Sequence, residues 1–186
     1  MFSVCYSILY NLADIDKNGF YKFVFYFYTM KLQLWSVGKP HETYLKTGIE
    51  DFTKRINNYF PAEWHIIPSP KNAGSLSETE LKKAEAAIIL TLLHKDDYLI
   101  LLDERGKQIS SPELAQWLQQ RANESTRRIV FLIGGAYGVD ATVMKRANYT
   151  WSLSKLVFPH MLVRLLLAEQ VYRACTILRN EKYHHN

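Results

Sequence analysis

The chain has 186 residues, 48% of them hydrophobic, with 23 Lys and Arg against 18 Asp and Glu, a formal net charge of +5 and a pI near 9.1. A chain of this length buries a full core without staples, and its two cysteines, Cys5 and Cys175, stand in no CxxC or Cys/His cluster, which argues against a disulfide scaffold and a zinc site and for a reducing compartment. The modest basic excess favours a polyanionic partner.

Residues 1–29 differ from the rest. They hold ten of the 25 Phe, Tyr and Trp residues, and their charges cancel (Asp14 and Asp16 against Lys17 and Lys22), so the positive excess lies in 30–186. No Lys or Arg precedes the apolar part, which makes a poor signal peptide. FYKFVFYFYT is too short to span a bilayer as a helix. Met30 opens a fresh pattern and reads as a candidate start, with 1–29 an appended extension of no assigned role.

From Met30 strands and helices alternate. KLQLWSV alternates apolar and polar residues up to Gly38 and Pro40, as a strand does. Tyr44 to Tyr59 has helical spacing, WHIIP is a short strand, and PSPKNAGS is a loop. Ser77 with Glu80 forms a capping box that opens a helix to about His94. YLILLD predicts a buried strand. Ser111 as cap and Pro112 in the first turn precede an amphipathic helix, LAQWLQQR. RIVFLIGG predicts a second buried strand ending in glycines, Asp140 caps a short helix to Arg146, and YTWSLS is a last strand or extended loop. Pro159 then starts a long helix ending near Arg179. This alternation argues for a mainly parallel α/β sheet with helices on both faces. Ligands bind beyond the carboxyl ends of such strands, which singles out the loops 103–106, 134–138 and 152–158.

Each loop carries chemistry. The glycines of FLIGGAYGVD let backbone amides approach a ligand, but GGxxG is neither the dinucleotide fingerprint nor a Walker loop. Asp103 ends a strand where it can accept hydrogen bonds. The run from Ser152 to Phe158 can wrap an apolar ring and bond its edge through backbone groups. His160 and Arg164 share one face at the start of the long helix, where a helix terminus favours anions. The rest of that helix is apolar almost all round. It therefore needs cover on most sides, which an identical helix from a twin chain would supply. Arg164, Glu169, Gln170 and Arg173 exclude it as a membrane span. The tail, RNEKYHHN, offers stacking aromatics and cations. These features alone also fit a non-catalytic RNA-binding module or a nucleotide-binding enzyme using the Gly134–Gly138 turn.

Taken in order, MKLQLWSVGKP, LLDERGK, FLIGGAYG, WSLSKLVFPHMLVR, LLAEQVYRA and the terminal YHH resemble the bacterial 23S rRNA pseudouridine N3-methyltransferases, the H-type large-subunit methyltransferases of the SPOUT superfamily. The resemblance covers 30–186 and not 1–29. It implies a Rossmann-like α/β domain with a C-terminal trefoil knot, a cytoplasmic homodimer, and S-adenosylmethionine as cofactor. By position the cofactor contacts fall on Leu102, Gly134, Leu153, Ser154, Lys155, Leu156, Val157 and Phe158. The implied substrate is a modified uridine of 23S rRNA, within the assembled ribosome, with no metal and no membrane partner. His160, Arg164, Tyr183 and His184 are the candidates for removing the N3 proton or favouring the anionic base.

Overall fold

Three of the strands are built from apolar runs buried on both faces, so their side chains divide by parity between two cores. The computed structural model describes residues 30–183; the candidate start, Met30, is the first of them, and the extension 1–29 and His184 lie outside the described residues. The strands are β1 (Lys31–Val37), β2 (Ala62–Ile67), β3 (Tyr98–Gln108), β4 (Arg128–Ile133) and β5 (Tyr149–Ser152). All neighbouring pairs are parallel, in the order β2-β1-β4-β3-β5. Leu32, Leu34, Ile100, Phe131 and Ile133 face one core, closed by α1 (Thr43–Ile56), α3 (Ser111–Asn123) and α5 (His160–Leu178). Trp35, Val37, Leu99, Leu101, Val130 and Leu132 face the other, closed by α2 (Glu78–Leu92) and α4 (Ala141–Arg146).

Helix starts follow local chemistry. The Ser77–Glu80 box is reciprocal, each side chain bonding the other residue's backbone amide. At α3 the cap is Ser110, one residue before the expected Ser111, because only Ser110 has a carboxylate three residues on, at Glu113. Pro112 still falls in the first turn, where its missing amide costs nothing. The expected loop 68–75 contains a short 3₁₀ turn, Ala73–Ser75. Among the described residues no helix is long and apolar enough to cross a membrane.

The largest departure from the sequence reading is β3. YLILLD does not end the strand: it runs on through Glu104–Gln108 and meets β5 twice, since Leu102 and Lys107 both pair with Trp151. The intervening residues 103–106 bulge out of the pairing between the two registers. Gly106 makes this bulge feasible, because a Cβ there would stand 2.7 Å from the Thr150 carbonyl oxygen.

Candidate functional site

At the carboxyl ends of β3, β4 and β5 the three expected loops surround one cavity of about 700 Å³, with α2, α4 and the first turn of α5 completing its wall. The glycine turn closes on itself. The Gly138 amide donates to the Gly135 carbonyl at 3.0 Å, and the two residues form a bridge. Gly138 has φ +81°, a left-handed conformation that suits glycine. At Gly134 a Cβ would meet Val139 Cγ1 at 2.8 Å.

Gly135 answers to a different constraint. Its absent side chain leaves room for the carboxyl of Glu85, whose Oε1 would stand 2.8 Å from a Cβ built there. Glu85 comes up from α2, is 5% exposed, and its carboxyl is pushed above the ordinary range by burial. The neutral form is therefore the one the fold favours. Stability linked to that proton is complete below the unfolded carboxyl's value, near 4.5, and is lost as pH rises through the folded value. Glu85→Gln removes the ionisation and is expected to melt higher than the parent at pH 7–8, with the gap closing below about pH 4.5. Thermal melts across that range check it; a gap that widens toward acid would contradict it.

The third loop is held by its own serines. Ser152 Oγ donates to the Ser154 carbonyl at 2.7 Å, and Ser154 Oγ accepts from the Leu156 amide at 3.0 Å. Leu156 and Val157 are exposed on the cavity's rim. Trp151, also in the wall, has a buried indole N–H with no acceptor. An unsatisfied buried donor costs about 1–3 kcal/mol, and a ligand with ring nitrogens or hydroxyls can supply what it lacks. The Trp151 donor and the backbone of the glycine turn, both in the cavity wall, fit an adenosyl cofactor.

Of the residues expected at the site, Leu102, Gly134, Leu153, Ser154, Leu156, Val157, Phe158 and His160 converge on the cavity. Lys155 is exposed and is not part of the wall. His160 is held below the ordinary histidine range, chiefly by burial and then by the Arg164 cation, with the Gly134 backbone opposing. Its imidazole is therefore neutral at pH 7. Arg164 does not face the cavity. It is 1% exposed, and its Nε donates to Ser36 Oγ at 2.9 Å and its Nη1 to the Lys39 carbonyl at 2.9 Å, with His41 Nδ1 at 3.3 Å. The polar face of α5 thus splits: His160 turns to the cavity, and Arg164 ties the helix to the turn after β1, where Gly38 has φ +118°. Tyr183 stands elsewhere again, its hydroxyl 3.2 Å from Glu169 Oε1 and its ring against Tyr172 and Arg173.

Sequence reasoning missed several wall residues, among them Glu78 and Lys82 of α2, Tyr137 and Met144. One signal was present: Glu78, Lys82 and Glu85 recur at i, i+4 and i+7 on a helix otherwise apolar in its second half. Among the described residues no group of three or more His, Cys, Asp or Glu is placed to hold a metal ion.

A family model described as "Predicted SPOUT methyltransferase" matches residues 30–184. The chain belongs to the SPOUT methyltransferase family. It is similar to proteins named "Ribosomal RNA large subunit methyltransferase H" from Cytophaga hutchinsonii, 49% identical over 84% of this chain and 100% of the relative, and from Flavobacterium johnsoniae, 45% identical over 84% and 99%. The relative of that name from Parabacteroides distasonis is 42% identical over the same shares, 84% and 99%.

Proposed function

We propose that this protein methylates N3 of a pseudouridine in 23S rRNA, with S-adenosylmethionine as methyl donor and the ribosome in the cytoplasm as its substrate. The observation that carries this reading is the convergence of the three loops on a cavity whose wall includes the orphaned Trp151 donor. Leu102, Gly134 and the 153–158 loop would hold the cofactor, with Lys155 placed to meet phosphate at the rim rather than the cavity interior. When bound, the cofactor supplies an electrophilic methyl group. The chain's own task is to align N3 with it, and positioning of this kind is worth roughly 7–11 kcal/mol.

N3 must also lose its proton. His160 is neutral at pH 7, lies in the wall, and is the group best placed to accept it. Because its value lies below 6.5, turnover is expected to stay level from pH 8 down to that point and to fall in more acidic solution as the imidazole protonates. His160→Gln should lower kcat about 10²-fold and remove that acid limb. An unchanged acid limb in the variant would assign the proton to another group.

The homodimer belongs to the same proposal. Met161, Leu162, Leu165 and Leu166 of α5 are only half-buried in one chain, and a twin helix would cover them. Glu169, the partner of Tyr183, lies nine residues past His160, roughly 14 Å along the helix axis. Tyr183 would therefore serve the cavity of the partner subunit rather than its own.

The test is direct. Large ribosomal subunits from a strain lacking the gene are incubated with purified protein and S-adenosylmethionine, and the rRNA is digested for mass spectrometry. A new methyl group on the pseudouridine base supports the reading. Cofactor binding by calorimetry with no methyl transferred to any rRNA would sink it, and no cofactor binding at all would favour a non-catalytic RNA-binding module.

A further inference from the structure

Two side chains at the cavity mouth have no structural task. Tyr137 is 56% exposed, although the turn beneath it is fixed at both ends by the Gly135–Gly138 hydrogen bond. It makes no hydrogen bond or ring contact with any described residue. An exposed tyrosine is ordinary on a surface. One held on a two-ended turn at the lip of a cavity is a platform with a free face.

Arg105 is the second. Its side chain is 69% exposed, yet its direction is fixed by Asp103, which accepts from Nε at 2.8 Å and from Nη2 at 2.7 Å. The backbone amide of Arg105 also donates to Asp103, at 2.9 Å. Asp103 itself has a 7% exposed side chain, so the fork stands on a buried base. An exposed ion pair contributes little to stability. This one orients a guanidinium and leaves Nη1 with no partner among the described residues. A planar cation so held suits a phosphate oxygen.

Resting on the methyltransferase reading above, we propose that the rim is a nucleotide clamp: Tyr137 stacks on a base of the RNA substrate and Arg105 takes an adjacent phosphate. A base that receives a methyl group in the cavity must pass this mouth, and a single-stranded nucleotide offers both an aromatic face and an anion. The chain's net charge of +5 suits the same partner. A protein partner would ask instead for an apolar patch continuous around Tyr137, and the charged wall residues Glu78, Lys82 and Glu104 interrupt one.

The experiment compares the full-length protein with Tyr137→Ala, Tyr137→Phe, Tyr137→Trp, Arg105→Ala and, as a control on α1, Lys54→Ala. Methyl transfer to large subunits gives KM for RNA and kcat, and calorimetry gives cofactor affinity. Tyr137→Ala is expected to raise the RNA KM about tenfold while cofactor affinity stays at the wild-type value, and Phe and Trp should restore it, because stacking needs only a π-face. Arg105→Ala should weaken RNA binding and lower the slope of log K against log salt by about one, while Lys54→Ala leaves it unchanged. An RNA KM within about twofold of wild type in Tyr137→Ala, a Phe variant as impaired as Ala, or a wild-type salt slope in Arg105→Ala would each overturn the clamp. Those results leave the methyltransferase reading standing. A wild-type protein that binds cofactor and transfers no methyl group removes that reading, and the clamp with it.

Discussion

Replacing Gly106 by alanine is expected to destabilise the protein by about 3 kcal/mol, which for a chain of this size lowers Tm by roughly 10 °C. The new methyl group would stand 2.7 Å from the Thr150 carbonyl oxygen and 2.8 Å from the Trp151 carbonyl carbon. Both are backbone atoms of β5, and neither can rotate out of the way. The strain can be relieved only by lifting residues 103–106 off β5, which opens the second register of the β3–β5 pairing. That segment is also cavity wall, so cofactor affinity should fall along with stability. Gly74 supplies the control, because nothing lies within 4 Å of a Cβ built there and Gly74→Ala should melt like the parent. Differential scanning calorimetry of both variants settles the point. A Gly106→Ala protein with a wild-type melt would mean that the 103–106 bulge does not pack against β5 as described.

Arg164 carries the second large effect. A buried guanidinium that bonds Ser36, Lys39 and His41 joins α5 to the turn after β1. Arg164→Met leaves the Ser36 hydroxyl and the Lys39 carbonyl without their donor, a loss of about 3 kcal/mol. Arg164→Lys keeps the charge but lacks the planar fork, and a single ammonium cannot replace donors spread over three partners. It is expected to lose as much. Urea unfolding measures this. The distinguishing measurement is kcat per folded molecule at saturating cofactor, which should change less than about tenfold, because Arg164 holds a helix in place and is not in the cavity wall. A Lys variant of normal stability that no longer transfers methyl groups would return Arg164 to the chemistry and refute this placement.

Most elements were legible because their causes are local. A capping box is complete within four residues, so Ser77 and Glu80 mark the start of α2 on sight. Buried strands such as Arg128–Ile133 show as aliphatic runs because both faces are covered. The slip at Ser110 and Ser111 has the same origin. Two serines compete for one cap, and the carboxylate three residues downstream decides. Position along the chain was enough to bring seven of the eight expected cofactor contacts into the cavity wall. Lys155 is not among the wall residues: its neighbours in sequence are, while it is itself exposed.

His160 and Arg164 mark the boundary between the two kinds of information. Four-residue spacing placed both on one helical face, and helical geometry alone requires that. It could not say that one residue would meet the 134–138 turn and the other the end of β1, 128 residues away at Ser36, with the turn that follows it. The second register of β3 on β5, the Glu85 carboxyl behind Gly135 and the unpaired donor on Trp151 belong to the same class. By itself the sequence determined the elements, their parallel arrangement and the three loops at one end of the sheet, because caps, turns and burial periods are set by near neighbours. Tertiary structure decided which polar side chains enter the cavity and which are spent on holding it together, because that depends on contacts between segments far apart in the chain, where the burial of each group and its partners are first defined.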